Sequence, residues 1–228
     1  MDFKIISIGT LSVHELWTRQ TSTRTPHATT TLIQSANQTI LVDPGLPPTV
    51  IEARLAERAG LEPKDITDVF LTNFRPSHRL ALPLFNTARW LISTREREEI
   101  GRQLVQCYQD EQEDSTRDLL REEIAILKRF TPAPDQIAPQ VDLFPLPGYT
   151  AGTSGLLLSH PHSTILIAGD AVPTVEHMEH GRVLRGAFDI QQAQTSLAEA
   201  IEIADLIVPG HDNVVANPLT RHRVLPPT

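Results

Sequence analysis

Cysteine is nearly absent from this chain: Cys107 is the only one in 228 residues. No intrachain disulfide can form, which fits a reducing compartment such as the cytoplasm. Long apolar runs are missing as well. No stretch approaches the roughly 20 apolar residues of a membrane span. The opening residues, Met-Asp-Phe-Lys-Ile-Ile, place an acid second and offer only a short apolar run, so they do not read as a signal peptide. Basic runs are lacking too. Twenty Lys and Arg stand against 28 Asp and Glu, a net charge of -8, which argues against nucleic acid or an anionic membrane as partner. No internal repeat is visible. The expectation is a soluble, cytoplasmic protein whose partner, if any, is a small molecule; its oligomeric state is left open.

What remains is ordinary globular composition, 40% hydrophobic and 21% charged, and a length that buries a full core without staples. Residues 1–217 are expected to form one domain, with 218–228 as a frayed tail. Runs 3–8 and 11–17 read as strands about a Gly9-Thr10 turn, and 29–34 and 39–42 as a hairpin. Apolar spacing predicts a helix over 49–59, ended by Gly60. Strands are expected at 68–71, 89–92, 142–146, 155–159, 163–168 and 206–208. Asp189 is placed to cap a helix over 189–204.

The segment 94–130 differs, being rich in Glu, Arg, Gln and Leu. Ile100, Leu104, Cys107 and Tyr108 share one helical face, and Leu119, Leu120, Ile124 and Leu127 another. A helical hairpin is expected, broken and recapped at 114–116, serving either as a charged surface layer or as a lid that shapes a pocket. Residues 131–139 carry three prolines and read as a loop. The element order suits an α/β fold, a four-layer α/β/β/α sandwich.

Several segments in chain order carry a resemblance. Ile40-Leu41-Val42-Asp43-Pro44-Gly45 runs a strand into an acidic turn. Phe70-Leu71-Thr72 precedes the loop Asn73-Phe74-Arg75-Pro76-Ser77-His78. Leu146 to Ser154 is a small-residue loop. Ile167-Ala168-Gly169-Asp170 and Val208-Pro209-Gly210-His211 close the set. Together they resemble the metallo-β-lactamase superfamily, in particular its lactonase-like and hydroxyacyl-hydrolase-like members, over nearly the whole chain. That family carries Thr-His-x-His-x-Asp-His where this chain carries Thr72 to His78.

The resemblance implies a two-metal hydrolase site and also shows where this chain departs from it. Leu82-Pro83-Leu84-Phe85 fixes the register. Asn73 and Arg75 then stand at the first two loop histidines, Ser77 at the loop aspartate, and Tyr149 at the histidine of the third segment. The first metal thereby loses all its histidines. Three ligands of the second survive: His78, Asp170 and His211. Arg75 is always cationic and has no lone pair to give. It is expected to replace the first metal by pairing with Asp170. The candidate catalytic groups are therefore Asp170, Tyr149 and Arg75, and the residual metal set is His78, Asp170 and His211. The expected cofactor is none, or one divalent ion, zinc first, because two His and one Asp suit an open zinc site. Two functions stay open. One is a binding or regulatory protein without dinuclear hydrolase activity. The other is a mononuclear hydrolase of an ester, lactone or thioester. A structural role in assembly is a third.

Other signals are weaker. His177 and His180 would suit a metal on a helix but read as an exposed loop before Gly181. His160 and His162 flank a turn, and His27 reads as a satisfied loop histidine. Cys107 reads as a packed small hydrophobe. Ser77 and Ser154 lack a nucleophile elbow.

Overall fold

The structure is a computed structural model that describes residues 1–16 and 24–220. The first sheet opens with β1 (Asp2–Ser7), β2 (Thr30–Ser35) and β3 (Gln38–Val42), an antiparallel set. The β2–β3 hairpin turns through Ala36, whose φ is 51°. Helix α1 (Pro48–Ala59) follows, with Pro at its first turn and Gly60 in the left-handed conformation closing it. Then β4 (Asp68–Leu71) and β5 (Arg89–Ile92) add parallel to β3. The helical hairpin comes next, α2 (Thr94–Asp110) and α3 (Asp114–Lys128), before β6 (Thr131–Pro132) completes the first sheet at its edge.

The second sheet contains β7 (Gln136–Ala138), β8 (Val141–Pro145), β9 (Ser154–His160) and β10 (Ser163–Gly169), all antiparallel. After α4 (Val175–Glu179) and α5 (Ile190–Ile203), β11 (Leu206–Pro209) joins β10 in parallel, and β12 (Val215–Ala216) closes the edge.

The pleat explains the layering. Successive strand side chains point to opposite faces. Ile40, Val42, Phe70 and Leu91 meet Leu156, Leu158, Ile165 and Ile167 between the sheets. Leu41, Val69, Leu71 and Ile92 face the other way, onto Ile51 and Leu55 of α1 and Leu127 of α3. On the far side, Leu166, Ala168 and Ile207 pack on Leu197 and Ala200 of α5. Strands read as continuous apolar runs because both faces are covered. This is the expected α/β/β/α sandwich. No helix among the described residues is long and apolar enough to cross a membrane.

Five local expectations need correction. Residues 11–16 are not a strand; only Thr10 bridges, to His27, and residue 17 lies outside the described residues. A Cβ on Gly9 would sit 2.5 Å from Thr29 N, so the chain passes too close to the 27–29 backbone to fan out as a sheet strand. The loop at 131–139 contributes β6 and β7, both sheet edges, where proline costs no ladder bond. The helical break falls at 111–113. Ser115 and Thr116 donate back to the Glu113 carboxylate, at 2.6 and 3.1 Å, rather than capping. His177 is buried on α4, although His180 is exposed. Cys107 is exposed. It sits where α2 faces an open cavity rather than α3. Of the expected tail, 221–228 lie outside the described residues.

Candidate metal centre and cleft

The motif residues sit at the C-terminal ends of β3, β4, β10 and β11, except Tyr149, which lies in the loop between β8 and β9. Asp43 follows β3, with φ at 50°, a conformation aspartate tolerates better than most residues. It accepts from Thr72 N at 2.9 Å and Thr72 Oγ1 at 2.7 Å. Those bonds tie the end of β3 to the end of β4. Gly169 must be glycine: φ is 54°, and a Cβ would lie 2.4 Å from Thr72 Oγ1. That close approach brings Asp170 against the β4 loop.

His78, Asp170 and His211 converge, each buried, with their ligand atoms all within 4.8 Å of one another. His78 Nε2 lies 2.9 Å from Asp170 Oδ2, and His211 Nε2 lies 2.9 Å from Asp170 Oδ1. Each histidine is held from behind. His78 Nδ1 stands 3.0 Å from Asp43 Oδ2, and His211 Nδ1 donates to the His27 carbonyl at 2.9 Å. A carbonyl only accepts, so the His211 Nδ1 carries a proton. This is the arrangement in which an outer acceptor fixes the tautomer of a metal-binding histidine.

The electrostatics follow from that geometry. A neutral ring with its proton on Nδ1 would point an Nε2 lone pair at a carboxylate lone pair. Positive charge is required there, as ring protons or as a cation. Burial would lower the His78 pKa, but the carboxylates of Asp43 and Asp170 outweigh it and raise it to about 10. Burial would likewise raise that of Asp170, but His78 and His211 hold it well below the usual carboxylate range. Asp43 and Asp170 are both buried carboxylates, at 1% and 3% exposure.

The donor set converges as an ion would need. Asp170 Oδ1 is buried and makes no aligned hydrogen bond despite its short approach to His211, an orphan that a cation would satisfy. The other side of Asp170 is already filled. Asn73 Nδ2 donates to Asp170 Oδ2 at 2.9 Å, and Asn73 Oδ1 accepts from Arg75 N at 3.0 Å, which fixes the amide's orientation.

Arg75 does not do what its position suggested. Its side chain is exposed and lies over the Tyr149 ring at 4.4 Å. No ion pair joins it to Asp170 among the described residues. Its backbone N–H is turned to Asn73, which aims the side chain outward, and the aromatic face holds the guanidinium there. Asn73 therefore supplies the hydrogen bond expected of Arg75. Tyr149 is half-buried. Burial raises its pKa, and the Asp170 charge adds to this while Arg75 opposes it, so the phenol is a neutral donor.

Beside this cluster lies a cavity of about 440 Å3, walled by the β4 loop, α2, α3, the 149–151 loop and Phe188. Arg75 and Tyr149 line it, whereas His78, Asp170 and His211 do not. Side chains of both helices of the hairpin thus line the cavity. Glu96, fully buried on α2, anchors it: it accepts from Phe74 N at 3.0 Å, Thr150 Oγ1 at 2.6 Å and Gly152 N at 3.0 Å.

Sequence reasoning did not single out Asp43 or Thr72 as site residues, nor Glu96 or His14. The acidic turn after β3 was a usable signal for Asp43. Glu96 and His14 had none, because their partners are distant in sequence. His14 Nε2 and His177 Nδ1 both reach Thr174 Oγ1, at 3.1 and 2.9 Å. His27 directs its ring to the Ile8 and Thr25 carbonyls, each at 3.2 Å, and serves the site only through its backbone. Ser154 Oγ donates to Gly152 O at 3.0 Å.

Comparison with known proteins agrees with the architecture. The profile of the metallo-beta-lactamase superfamily matches residues 25–211. No curated protein matches the sequence. Among solved structures, a Thermotoga maritima protein assigned to the metallo-beta-lactamases is 19% identical, with a TM-score of 0.68 over 94% of this chain and 98% of its own. A quorum-quenching N-acyl homoserine lactone hydrolase is 21% identical, with a TM-score of 0.65 over 92% and 90%. The dizinc quorum-quenching lactonase AidC is 17% identical, with a TM-score of 0.65 over 81% and 72%. At these identities the likeness is one of fold.

Proposed function

The chain belongs to the metallo-β-lactamase superfamily, and from that premise we propose that it is a member without two-ion hydrolysis, whose cleft binds a small molecule. The observation that carries this reading is the hydrogen bond from Asn73 to Asp170. On this reading the amide donor takes the side of Asp170 that a second cation would need, and this supports a site without two ions. The cleft, meanwhile, is walled by Arg75, Tyr149 and apolar side chains rather than by the His–Asp–His cluster.

A second reading, hydrolysis of an ester, lactone or thioester with a single ion, is favoured by the orphaned Asp170 Oδ1 and by the two histidines held from behind. His78, Asp170 and His211 would hold the ion, zinc first, and it would supply Lewis acidity and an acidified water. In that case Tyr149 and Arg75 are the hydrogen-bond donors at the cleft side, where a developing oxyanion would need them.

Elemental analysis of the protein purified without added metal, together with hydrolysis of a p-nitrophenyl ester, separates the two. Less than about a tenth of an ion per chain and no turnover are expected. Near-stoichiometric zinc, manganese or iron, with turnover abolished in His211→Ala, would establish the single-ion hydrolase instead.

A further inference from the structure

We propose that the cleft takes an amphipathic carboxylate, its apolar body lying along α2 and its carboxylate held by Arg75. This rests on the binding reading above and names the ligand class. The cavity lies in the size range of small-molecule pockets, roughly 300–1,000 Å3. Its wall carries Phe74, Ile100, Leu104 and Phe188. Phe188 is 57% exposed, a large aromatic face left to solvent at the cavity rim. Its backbone is nevertheless fixed, since Phe188 N donates to Tyr149 O at 3.0 Å. An exposed aromatic on an anchored backbone offers apolar contact without the cost of ordering the backbone.

The charges of the wall are unequal in kind. Arg79 is paired with Glu123, and Glu99 with Arg102 at 2.7 Å. Arg75 has no carboxylate partner among the described residues; it rests on the Tyr149 ring alone. In a chain of net charge -8, the cleft thus presents one uncompensated guanidinium. The Tyr149 ring lies under the guanidinium at 4.4 Å and takes none of its N–H donors as an acceptor in the ring plane. A planar fork of donors matches a carboxylate in two parallel hydrogen bonds. A cationic ligand would meet repulsion from Arg75, and a neutral one would leave its charge unanswered. The polar end of the ligand would then sit at Arg75, and its chain would run toward Leu104 and Cys107.

Octanoate is the probe, compared with octanol and octyltrimethylammonium by isothermal titration calorimetry on the full chain. It contains no ester, so its binding reads the cleft alone, whether or not the protein hydrolyses anything. Octanoate is expected to bind at least about tenfold more tightly than octanol, with the cation weakest. Arg75→Gln should bring octanoate down to the level of octanol, and Arg75→Lys should fall between, since lysine keeps the charge without the fork. Octanoate should also slow alkylation of Cys107, the sole cysteine, which is exposed and lines the same cavity. Equal binding of octanoate and octanol, unchanged octanoate binding in Arg75→Gln, or no binding of any of the three would overturn the proposal. Failure on these counts leaves the metal and hydrolysis measurements untouched.

Discussion

Asp43 holds more of the site together than its place in a turn suggests. It receives both the backbone and the hydroxyl of Thr72 and stands behind His78, at 1% exposure. Removing its charge leaves His78 with one carboxylate in a buried setting. Asp43→Asn should therefore destabilise the protein by about 3–5 kcal/mol, the usual cost of breaking a buried pair by removing one partner, as measured by urea unfolding. A loss below about 1 kcal/mol would show that the pair is not the anchor of this corner. His177 makes the opposite kind of prediction. Burial, with His14 next in effect, lowers its pKa from 6.5 to about 4. The unfolded chain then binds the proton more readily than the fold does, so stability falls as pH drops below 6.5 and the loss is complete below about 4. His177→Gln should remove on the order of 3 kcal/mol of the difference in stability between pH 7 and pH 4. Identical acid limbs for the variant and the parent chain would rule this out.

Among elements, the helical hairpin shows how far patterning reaches. The apolar spacing of Ile100, Leu104 and Leu127 was enough to place α2 and α3 on the sheet. It did not say which way Cys107 faces, because a stripe on one helix is buried only as far as the neighbouring helix covers it. Nor could it reveal Glu96, which enters the first turn of α2 as an ordinary charged residue. In the fold it satisfies Phe74 N, Thr150 Oγ1 and Gly152 N. Ser93 adds a cap on Glu96 N at 3.2 Å and a bond to Gly152 O at 2.6 Å. Glu96→Ala would strand two backbone N–H groups in a buried place, Phe74 N and Gly152 N. A loss of about 3 kcal/mol or more is expected in urea unfolding, with Glu96→Gln costing roughly half as much because it keeps an acceptor. Hydrogen exchange should quicken at 72–75 and 148–153 in both variants. If only α2 loosens, Glu96 does not couple the helix to the loops.

For the molecule as a whole, the question is whether a cation joins the two sheets. His78 comes from the first sheet, Asp170 and His211 from the second, so any ion held by all three would staple the halves of the sandwich. Under the reading without bound metal, a chelator should leave the thermal midpoint of the purified protein within about 1 °C, because nothing that binds only the folded state is removed. A drop of several degrees, reversed by zinc, would favour the single-ion alternative.

The sequence by itself pointed to strands buried on both faces, and the family resemblance supplied the four-layer order. Runs such as Ile40 to Val42 and Val69 to Leu71 alternate between two apolar faces, and only a sheet covered on both sides accepts that pattern. It also determined which ligand types survive, since the identities at 73, 75, 78, 149, 170 and 211 are read directly. Only the tertiary structure decided what those side chains do. Asn73 rather than Arg75 bonds Asp170 because the backbone N–H of residue 75 is captured by the Asn73 carbonyl and the guanidinium finds an aromatic face outside. Chemical type fixes what a residue can donate or accept. Which partner it meets depends on chain segments up to 184 positions away, as in the bond from His211 to the His27 carbonyl, and no local pattern encodes that distance.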